Sequence, residues 1–276
     1  MRERRLWWAV LVLALGLGAW TTLDAWRLVG QPYPGFSVMD NLLVGLGVER
    51  GGLEPFDFVR AMDGRLLASG SQIQDEVRRH PPGTSFHYLV NRRGSLVEAD
   101  IASTVEPVRD FVRFLLEGLL PGLLFLGLGA TVLVLKPDAP DARVFLLFCV
   151  IWFVTAALYH DAVSIYRFDV IFLTAWAFSP ALYLHLAQSF PERRPWSLRH
   201  PRVIWLAYGV SALMAVLLQT RRTGVPPSEF VLIPTAAAVY WVSSLVLLIA
   251  ALATTALRGA TALGRQRARV LLAGFA

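Results

Sequence analysis

The ionisable side chains inside long apolar segments are the first candidates for chemistry. His160 and Asp161 are adjacent with Tyr166 nearby, His185 lies in a later apolar segment, and Glu117 lies near the start of an earlier one. A histidine beside a carboxylate can bind a metal ion or titrate near neutral pH. Adjacent helical positions point about 100° apart and no further histidine is close. We therefore expect His160 and Asp161 to cap a helix at a membrane surface, and His185 and Glu117 to be structural.

The sequence lacks the motifs of the common enzyme classes. It contains no H-E-x-x-H metal site, no G-x-S-x-G nucleophile, no Walker loop and no paired carboxylates within an apolar segment. Cys149 is the single cysteine, which excludes an intramolecular disulfide and a cysteine metal cluster. We therefore predict a chain that is not an enzyme and that needs no cofactor.

The surroundings of these residues are typical of a membrane protein. Of the 276 residues 55% are hydrophobic and 17% charged, and the mean hydropathy is +0.53, whereas soluble domains average about 45 to 50% apolar and about 25% charged. A net charge of +6 is compatible with binding to nucleic acid. In a membrane chain, however, basic residues first indicate the orientation of its loops. The expected partner is the lipid bilayer, and no nucleic acid is expected.

Six apolar segments approach or exceed the length of about 17 to 25 residues that crosses a bilayer as a helix. They are Leu6 to Leu23, Phe114 to Leu135, Val144 to Tyr159, Val170 to Phe190, Val203 to Thr220 and Phe230 to Leu257. After the basic residues Arg265 to Arg269 the sequence turns apolar again, which predicts the start of a seventh helix in a chain that continues. The predicted organisation is an anchor helix over 1–29, a domain over 30–108 and a helical bundle over 109–276.

The distribution of basic residues predicts the orientation. If the N-terminus is cytoplasmic and six helices alternate, the cytoplasmic segments hold 13 basic residues and the two short loops on the other side hold three. The first set is Arg2, Arg4, Arg5, Lys136, Arg143, Arg193, Arg194, Arg199, Arg202, Arg258, Arg265, Arg267 and Arg269, and the second is Arg167, Arg221 and Arg222. The positive-inside rule thus predicts a multi-pass protein of the inner membrane with residues 30–108 extracytoplasmic.

Residues 30–108 have the pattern of a small mixed α/β domain. The segment Phe56 to Met62 alternates and ends at Asp63-Gly64, a dipeptide typical of tight turns. Ser71 with Gln74 three residues later predicts a capping box at the start of a helix. Ser85 to Asn91 and Leu96 to Ile101 alternate on either side of Arg92-Arg93-Gly94, which predicts a hairpin.

This order of elements resembles the PDZ domains of bacteria. The run Gly51-Gly52-Leu53-Glu54-Pro55-Phe56-Asp57-Phe58, followed by the strand, the turn, the capped helix and the hairpin, is similar to the signature of that family. One residue departs from it, because Phe56 stands where the family usually has glycine. The predicted fold is thus a polytopic α-helical membrane protein with about six transmembrane helices and an inserted PDZ-like domain.

The resemblance implies a peptide groove. PDZ domains add an extended peptide as a strand beside an edge strand and a helix, and backbone N–H groups of a preceding loop bind the terminal carboxylate. The loop would be Tyr33-Pro34-Gly35-Phe36, and the edge strand either Phe36-Ser37-Val38 or Leu42 to Val44. Ser71 and Gln72 would belong to the helical side of the groove. The competing interpretation is a PDZ-like fold that only packs on the helices or on a second copy.

A second resemblance covers much of residues 110–276. His185, Phe190-Pro191-Glu192-Arg193-Arg194 and His200-Pro201-Arg202 look like the membrane input region of bacterial sensor histidine kinases, as do Leu135-Lys136-Pro137 and the basic run at Arg265. Together the resemblances imply a sensory input module. Its PDZ-like domain would bind a peptide or protein, and the helices would transmit the binding signal. The alternative is a non-signalling envelope adaptor. The sequence leaves undecided whether the chain forms a homodimer.

Overall fold

The computed structural model describes residues 2–45, 52–190, 202–220 and 227–275. Within these ranges six helical segments are long and apolar enough to cross a membrane, as the sequence predicts. The helices outside the inserted domain are α1 Arg2–Leu28, α3 Val108–Arg113, α4 Leu120–Leu135, α5 Pro140–Ser164, α6 Asp169–Ser189, α7 Arg202–Thr220, α8 Pro227–Arg258 and α9 Ala262–Phe275. Gly51, Pro191 to Arg194, Arg199, His200, Pro201, Arg221 and Arg222 lie outside the described residues.

Helices α5 and α6 form the centre of the bundle. Helices α1 and α4 pack against α5, and α7 and α8 pack against α6. Leu146, Phe153 and Leu158 of α5 are almost fully buried at these contacts. A helix buried on several sides must be apolar around most of its circumference, which explains why α5 and α6 show no narrow hydrophobic stripe.

Pro121 lies near the start of α4 and is preceded by a change of helix type. Residues Phe114–Leu119 form a π-helical turn between α3 and α4. A proline removes one backbone hydrogen bond and clashes with the carbonyl four residues before it, and a π-helical turn widens the helix there. Residues 108–135 are therefore one continuous apolar helix with a local irregularity.

The basic run near the end of the sequence lies on a helix. After α8 the chain turns at residues 259–261 and α9 packs back against α8. Ala268 is fully buried in this contact. The expected helix after Arg265 is thus present, although the 14 described residues of α9 would span only about 21 Å at 1.5 Å per residue.

The inserted domain joins α1 to α3, and its described residues, 30–45 and 52–107, form six strands and one helix. The strands are β1 Pro32–Tyr33, β2 Phe58–Met62, β3 Arg65–Leu66, β4 Ser85–Arg92, β5 Ser95–Ala102 and β6 Thr104–Val105, and the helix is α2 Gly70–Arg78. Strands β2 to β5 form an antiparallel sheet in the order β3-β2-β4-β5, and β1 pairs with β6. The predicted tight turn at Asp63-Gly64 and the predicted hairpin at Arg92-Arg93-Gly94 are both present, and Asp63, Gly64, Arg93 and Gly94 all have positive φ.

The inserted domain has its own core. Ile73 and Val77 of α2 pack against the inward residues of β4, Phe86, Tyr88 and Val90. These are the residues whose period of two in the strand and of four in the helix predicts burial. The core is separate from those of the bundle, so the domain is a packing unit of its own.

Phe56 adopts a backbone conformation that favours glycine. Its φ is 71° and its side chain is exposed. A non-glycine residue in the left-handed region costs about 1 to 2 kcal/mol, which gives a physical reason for the glycine that the PDZ-like pattern expects at this position.

Replacing Phe56 with glycine should therefore stabilise the inserted domain by about 1 kcal/mol. The measurement is the opening free energy of β2 and β4 amides from native-state hydrogen exchange in the full chain. Phe56→Ala keeps the strained φ and serves as the control. Equal stability of the glycine and alanine variants would contradict the strain argument.

Candidate functional site

The outer edge of the inserted domain is the extended segment Ser37–Met39. It pairs with residues 43–45 through bonds from the Met39 N–H to the Leu43 carbonyl and from the Gly45 N–H to the Ser37 carbonyl, both 2.9 Å. Because backbone groups alternate along a strand, the N–H and carbonyl of Val38 point the other way, toward α2. The segment Leu42 to Val44 lies inside, since it also bonds residues 56–59. Of the two predicted edge strands, only Phe36-Ser37-Val38 reaches the groove.

Helix α2 forms the second wall of this groove. Gly70 and Gln74 lie one turn apart on the same face and are buried, and Arg78 follows one turn later. A Cβ atom at position 70 would lie 2.5 Å from the Met39 carbonyl oxygen, so only glycine allows this close approach of helix and edge. The Gly70 N–H also donates to the Asp40 carbonyl at 2.8 Å. We call the space between Ser37–Met39 and α2 the edge groove.

Ser71 and Gln72 stabilise the start of α2. The helix begins at Gly70 with Ser69 as its N-cap residue, so the predicted capping box of Ser71 and Gln74 is wrong. The Ser71 hydroxyl instead contacts the Ser69 hydroxyl, and Gln72 Oε1 accepts the Ala68 N–H at 2.7 Å. The helix therefore starts two residues earlier than the sequence predicts, and Gln74 lies on the groove face.

The loop Tyr33-Pro34-Gly35-Phe36 leads into the edge segment. Tyr33 pairs with Thr104 between β1 and β6, and Phe36 is buried in the core against the Tyr88 ring. Among the described residues, no acceptor is bonded to the N–H groups of Gly35 and Phe36. The loop therefore retains two backbone donors beside the groove.

Gly35 supports the fold as well as the loop. Its φ is +90°, and an added Cβ would lie 3.4 Å from the Ala102 carbonyl oxygen. A β-branched residue at this positive φ would be strained. We predict that Gly35→Val lowers the opening free energy of neighbouring amides in β5 by about 1 to 3 kcal/mol, whereas Gly83→Val, also at positive φ but without a neighbour within 4 Å, should perturb them less.

The edge groove is occupied by a residue of the helical bundle. The connection between α5 and α6 inserts Tyr166, whose hydroxyl donates to the Val38 carbonyl at 2.8 Å. The side chains of Gln74 and Arg78 face the same tyrosine. Burial raises the pKa of the Tyr166 hydroxyl, so it remains a neutral donor at physiological pH. Loop 165–168, called here the Tyr166 loop, therefore connects the groove to the bundle.

Asp161 fixes the shape of the Tyr166 loop. Its backbone carbonyl accepts the N–H groups of Ile165 and Tyr166, and its Oδ2 accepts the Phe168 N–H at 2.7 Å. Tyr166 has a φ of 64°, which is unusual for a bulky residue. Such a conformation persists when its surroundings determine it. Of the pair His160-Asp161, Asp161 caps the helix end as expected. Its hydrogen bonds hold the loop in the shape that places Tyr166 in the groove.

Arg167 connects the same loop to α1. It donates to Asp24 at 2.6 Å and lies over the Trp20 ring at 5.7 Å. Asp24 is 6% exposed and also accepts from Arg27 at 3.1 Å and from the Trp20 indole at 2.8 Å. Because a buried carboxylate needs such partners, any movement of the Tyr166 loop changes the environment of α1.

The two chain connections of the inserted domain are paired with each other. The Gly30 N–H donates to the Glu106 carbonyl and the Glu106 N–H to the Gln31 carbonyl, each at 2.9 Å. This ribbon of β1 and β6 continues directly into α1 and α3. A rotation of the domain must therefore move both helices together.

Glu106 is buried in this ribbon with a perturbed ionisation. It is 7% exposed, and burial raises its pKa from 4.5 to about 7, with Asp110 acting in the same direction and Arg78 in the opposite one. The Tyr33 hydroxyl also lies within electrostatic range of Glu106, and its pKa is raised mainly by burial. The carboxyl therefore holds its proton more tightly in the folded chain than in the unfolded chain.

This predicts a fall in ribbon stability as the pH rises from about 4.5 through about 7, because the folded state binds more protons than the unfolded state in that range. The amides of Gly30 and Glu106 should open more readily at pH 8 than at pH 5, after correction for intrinsic exchange. Glu106→Gln should remove this dependence. A wild-type profile that is flat, or that rises with pH, would contradict it.

The other candidate residues from the sequence lie apart from the edge groove. Glu117 accepts from Arg113 at 2.7 Å on the exposed face of the helix, and His185 contacts the Tyr208 hydroxyl at 3.1 Å inside the bundle. Within the part of the chain that the structure describes, no group of three histidine, cysteine or acidic side chains could hold a metal ion.

No known protein-family model matches this chain, and no curated protein sequence matches it either. The class of protein therefore rests on its own architecture. In the part of the chain that the structure describes, six long apolar helices and a strand-containing inserted domain are the architecture of a multi-pass membrane protein.

Proposed function

We propose that the chain is the sensory input module of a bacterial membrane signalling protein. In this proposal the inserted domain is PDZ-like, faces the outside of the cytoplasm and binds an extended segment of a peptide or protein along Ser37–Met39. Binding favours one arrangement of the helices, and the output leaves through the basic end near Arg258 and α9.

The arrangement of the edge groove supports peptide binding. A strand edge beside a helix is the geometry to which an extended peptide adds, and here Tyr166 covers that edge. The Val38 N–H has no acceptor among the described residues, and the donors of Gly35 and Phe36 are near the same end. These groups match the needs of a peptide main chain and a terminal carboxylate.

The observation that carries the proposal is the position of Tyr166 in the groove. Because Tyr166 and Arg167 are neighbours, a ligand in the groove competes with a residue whose loop also holds Asp24 of α1. The ribbon of β1 and β6 gives a second connection to α1 and α3. A ligand shifts such an equilibrium only by its different affinity for the two states, and displacement of Tyr166 supplies that difference.

The experiment uses the full chain in lipid nanodiscs. A random peptide library with free carboxyl termini and its amidated counterpart are titrated, and hydrogen exchange is followed in α2 and in residues 161–169. The proposal expects carboxylate-dependent binding, slower exchange in α2 and faster exchange in 161–169. Binding without any change in 161–169 would favour the envelope adaptor, and the absence of binding at millimolar peptide would favour a packing domain.

A further inference from the structure

We infer that the edge groove selects a tyrosine side chain in its ligand and that Tyr166 is the internal competitor for this pocket. The inference rests on the proposed function and names the chemistry of the ligand. It makes the Tyr166 loop a self-ligand that an external tyrosine-containing segment displaces.

The pocket around the Tyr166 hydroxyl is shaped for a phenol. The hydroxyl bonds the Val38 carbonyl at 2.8 Å, and a Cβ atom on Gly70 would lie only 2.9 Å from the hydroxyl oxygen. A phenylalanine in this place would leave the buried Val38 carbonyl without its donor. Sites that bond a ligand hydroxyl discriminate against analogues without it, because a buried polar group is then left unpaired.

The Tyr166 loop satisfies only part of the groove. Gln74 is 3% exposed and its side chain interacts with the Tyr166 hydroxyl. The Val38 N–H, in contrast, has no acceptor among the described residues. An extended segment that supplies a tyrosine side chain and a main-chain carbonyl can bond Val38 on both its carbonyl and its N–H. Such a segment forms more bonds than Tyr166 does.

Competition sets the affinity that an external ligand needs. A tethered group acts at an effective concentration of the order of millimolar, so the wild-type groove is closed to weak ligands. Removing the tyrosine side chain from the loop opens the pocket without removing any of its walls.

The test measures binding of a fluorescent peptide with the loop sequence Ile-Tyr-Arg-Phe and of its phenylalanine counterpart Ile-Phe-Arg-Phe. The proteins are the full chain in nanodiscs as wild type, Tyr166→Ala, Tyr166→Phe and the control Tyr159→Ala. We expect Tyr166→Ala to bind the tyrosine peptide at least tenfold more tightly than the wild type and the Tyr159→Ala control. The phenylalanine peptide should bind about fivefold more weakly, as for one hydrogen bond.

Tyr166→Phe keeps the ring in place, and its affinity for the tyrosine peptide should lie between those of the wild type and Tyr166→Ala. This variant allows the test to be made even if Tyr166→Ala does not fold. Equal affinities for the two peptides, no gain in either variant, or no binding by either variant would overturn the inference. If library peptides without tyrosine bind the groove instead, the proposed function survives and the tyrosine pocket does not.

Discussion

Tyr166→Ala is expected to loosen the inserted domain from the bundle while both parts stay folded. The change removes the hydrogen bond to Val38 and the half-buried ring between the edge segment and α2. Loss of one hydrogen bond and of aromatic contacts is worth roughly 2 kcal/mol, so amides of α2 and of Val38 to Asp40 should exchange about thirtyfold faster.

Two variants separate this effect from general damage. Tyr166→Phe removes only the hydroxyl, so its effect should be about fivefold. Tyr159→Ala removes a tyrosine from the same end of the bundle that is 45% exposed, and it should leave α2 unchanged. Exchange in α2 that responds equally to Tyr159→Ala and Tyr166→Ala would contradict the assignment of Tyr166 to the groove.

Asp57→Ala is expected to have the largest effect on the inserted domain itself. Asp57 is 2% exposed and accepts two bonds from Arg92, Nε to Oδ1 at 3.0 Å and Nη2 to Oδ2 at 2.6 Å. It also accepts the Glu54 N–H at 2.8 Å. Removing one partner of a buried pair costs about 3 to 5 kcal/mol. We expect the lower end, because Arg92 keeps Glu54 as a partner at 3.1 Å.

The measurement is the opening free energy of β2 and β4 amides in the full chain. Glu98→Ala is the matched control, since Glu98 is an exposed acid in the same sheet and its Oε2 lies 3.8 Å from His87 Nε2. The control should show no measurable change. A loss below about 1 kcal/mol for Asp57→Ala would mean that the ion pair does not stabilise the domain.

The elements of this fold follow closely from local sequence signals. The apolar segments become the six long helices because a helix in lipid must be apolar over about 20 residues. The hairpins at Asp63-Gly64 and Arg93-Gly94 follow because these residues accept positive φ. Such signals act over a few residues, so a sequence displays them directly.

The contents of the groove could not be predicted in the same way. The bond between Tyr166 and Val38 joins residues 128 positions apart, and no local pattern encodes it. From the sequence, the neighbouring Arg167 is a basic residue in a short loop, and Asp24 is a single acid near the end of an apolar segment. These are the two signals from which the ion pair between Arg167 and Asp24 could be suspected.

The start of α2 shows the same limit on a smaller scale. Ser71 and Gln74 have the spacing of a capping box, yet Ser69 is the N-cap residue. The deciding contact is the close approach of Gly70 to the Met39 carbonyl, which depends on the tertiary fold. Gln74 therefore faces the groove instead of the helix start.

Photo-crosslinking from position 166 tests the central claim most directly, because that claim places the side chain of a bundle loop inside the edge groove. Benzoylphenylalanine is introduced for Tyr166 in the full chain in membranes, and crosslinked fragments are identified by mass spectrometry after digestion. The account predicts intramolecular crosslinks to residues 37–40 and to α2, with a yield that falls when a groove-binding peptide is added. Crosslinks to lipid or to other helices, with none to residues 37–40 or α2, would contradict it.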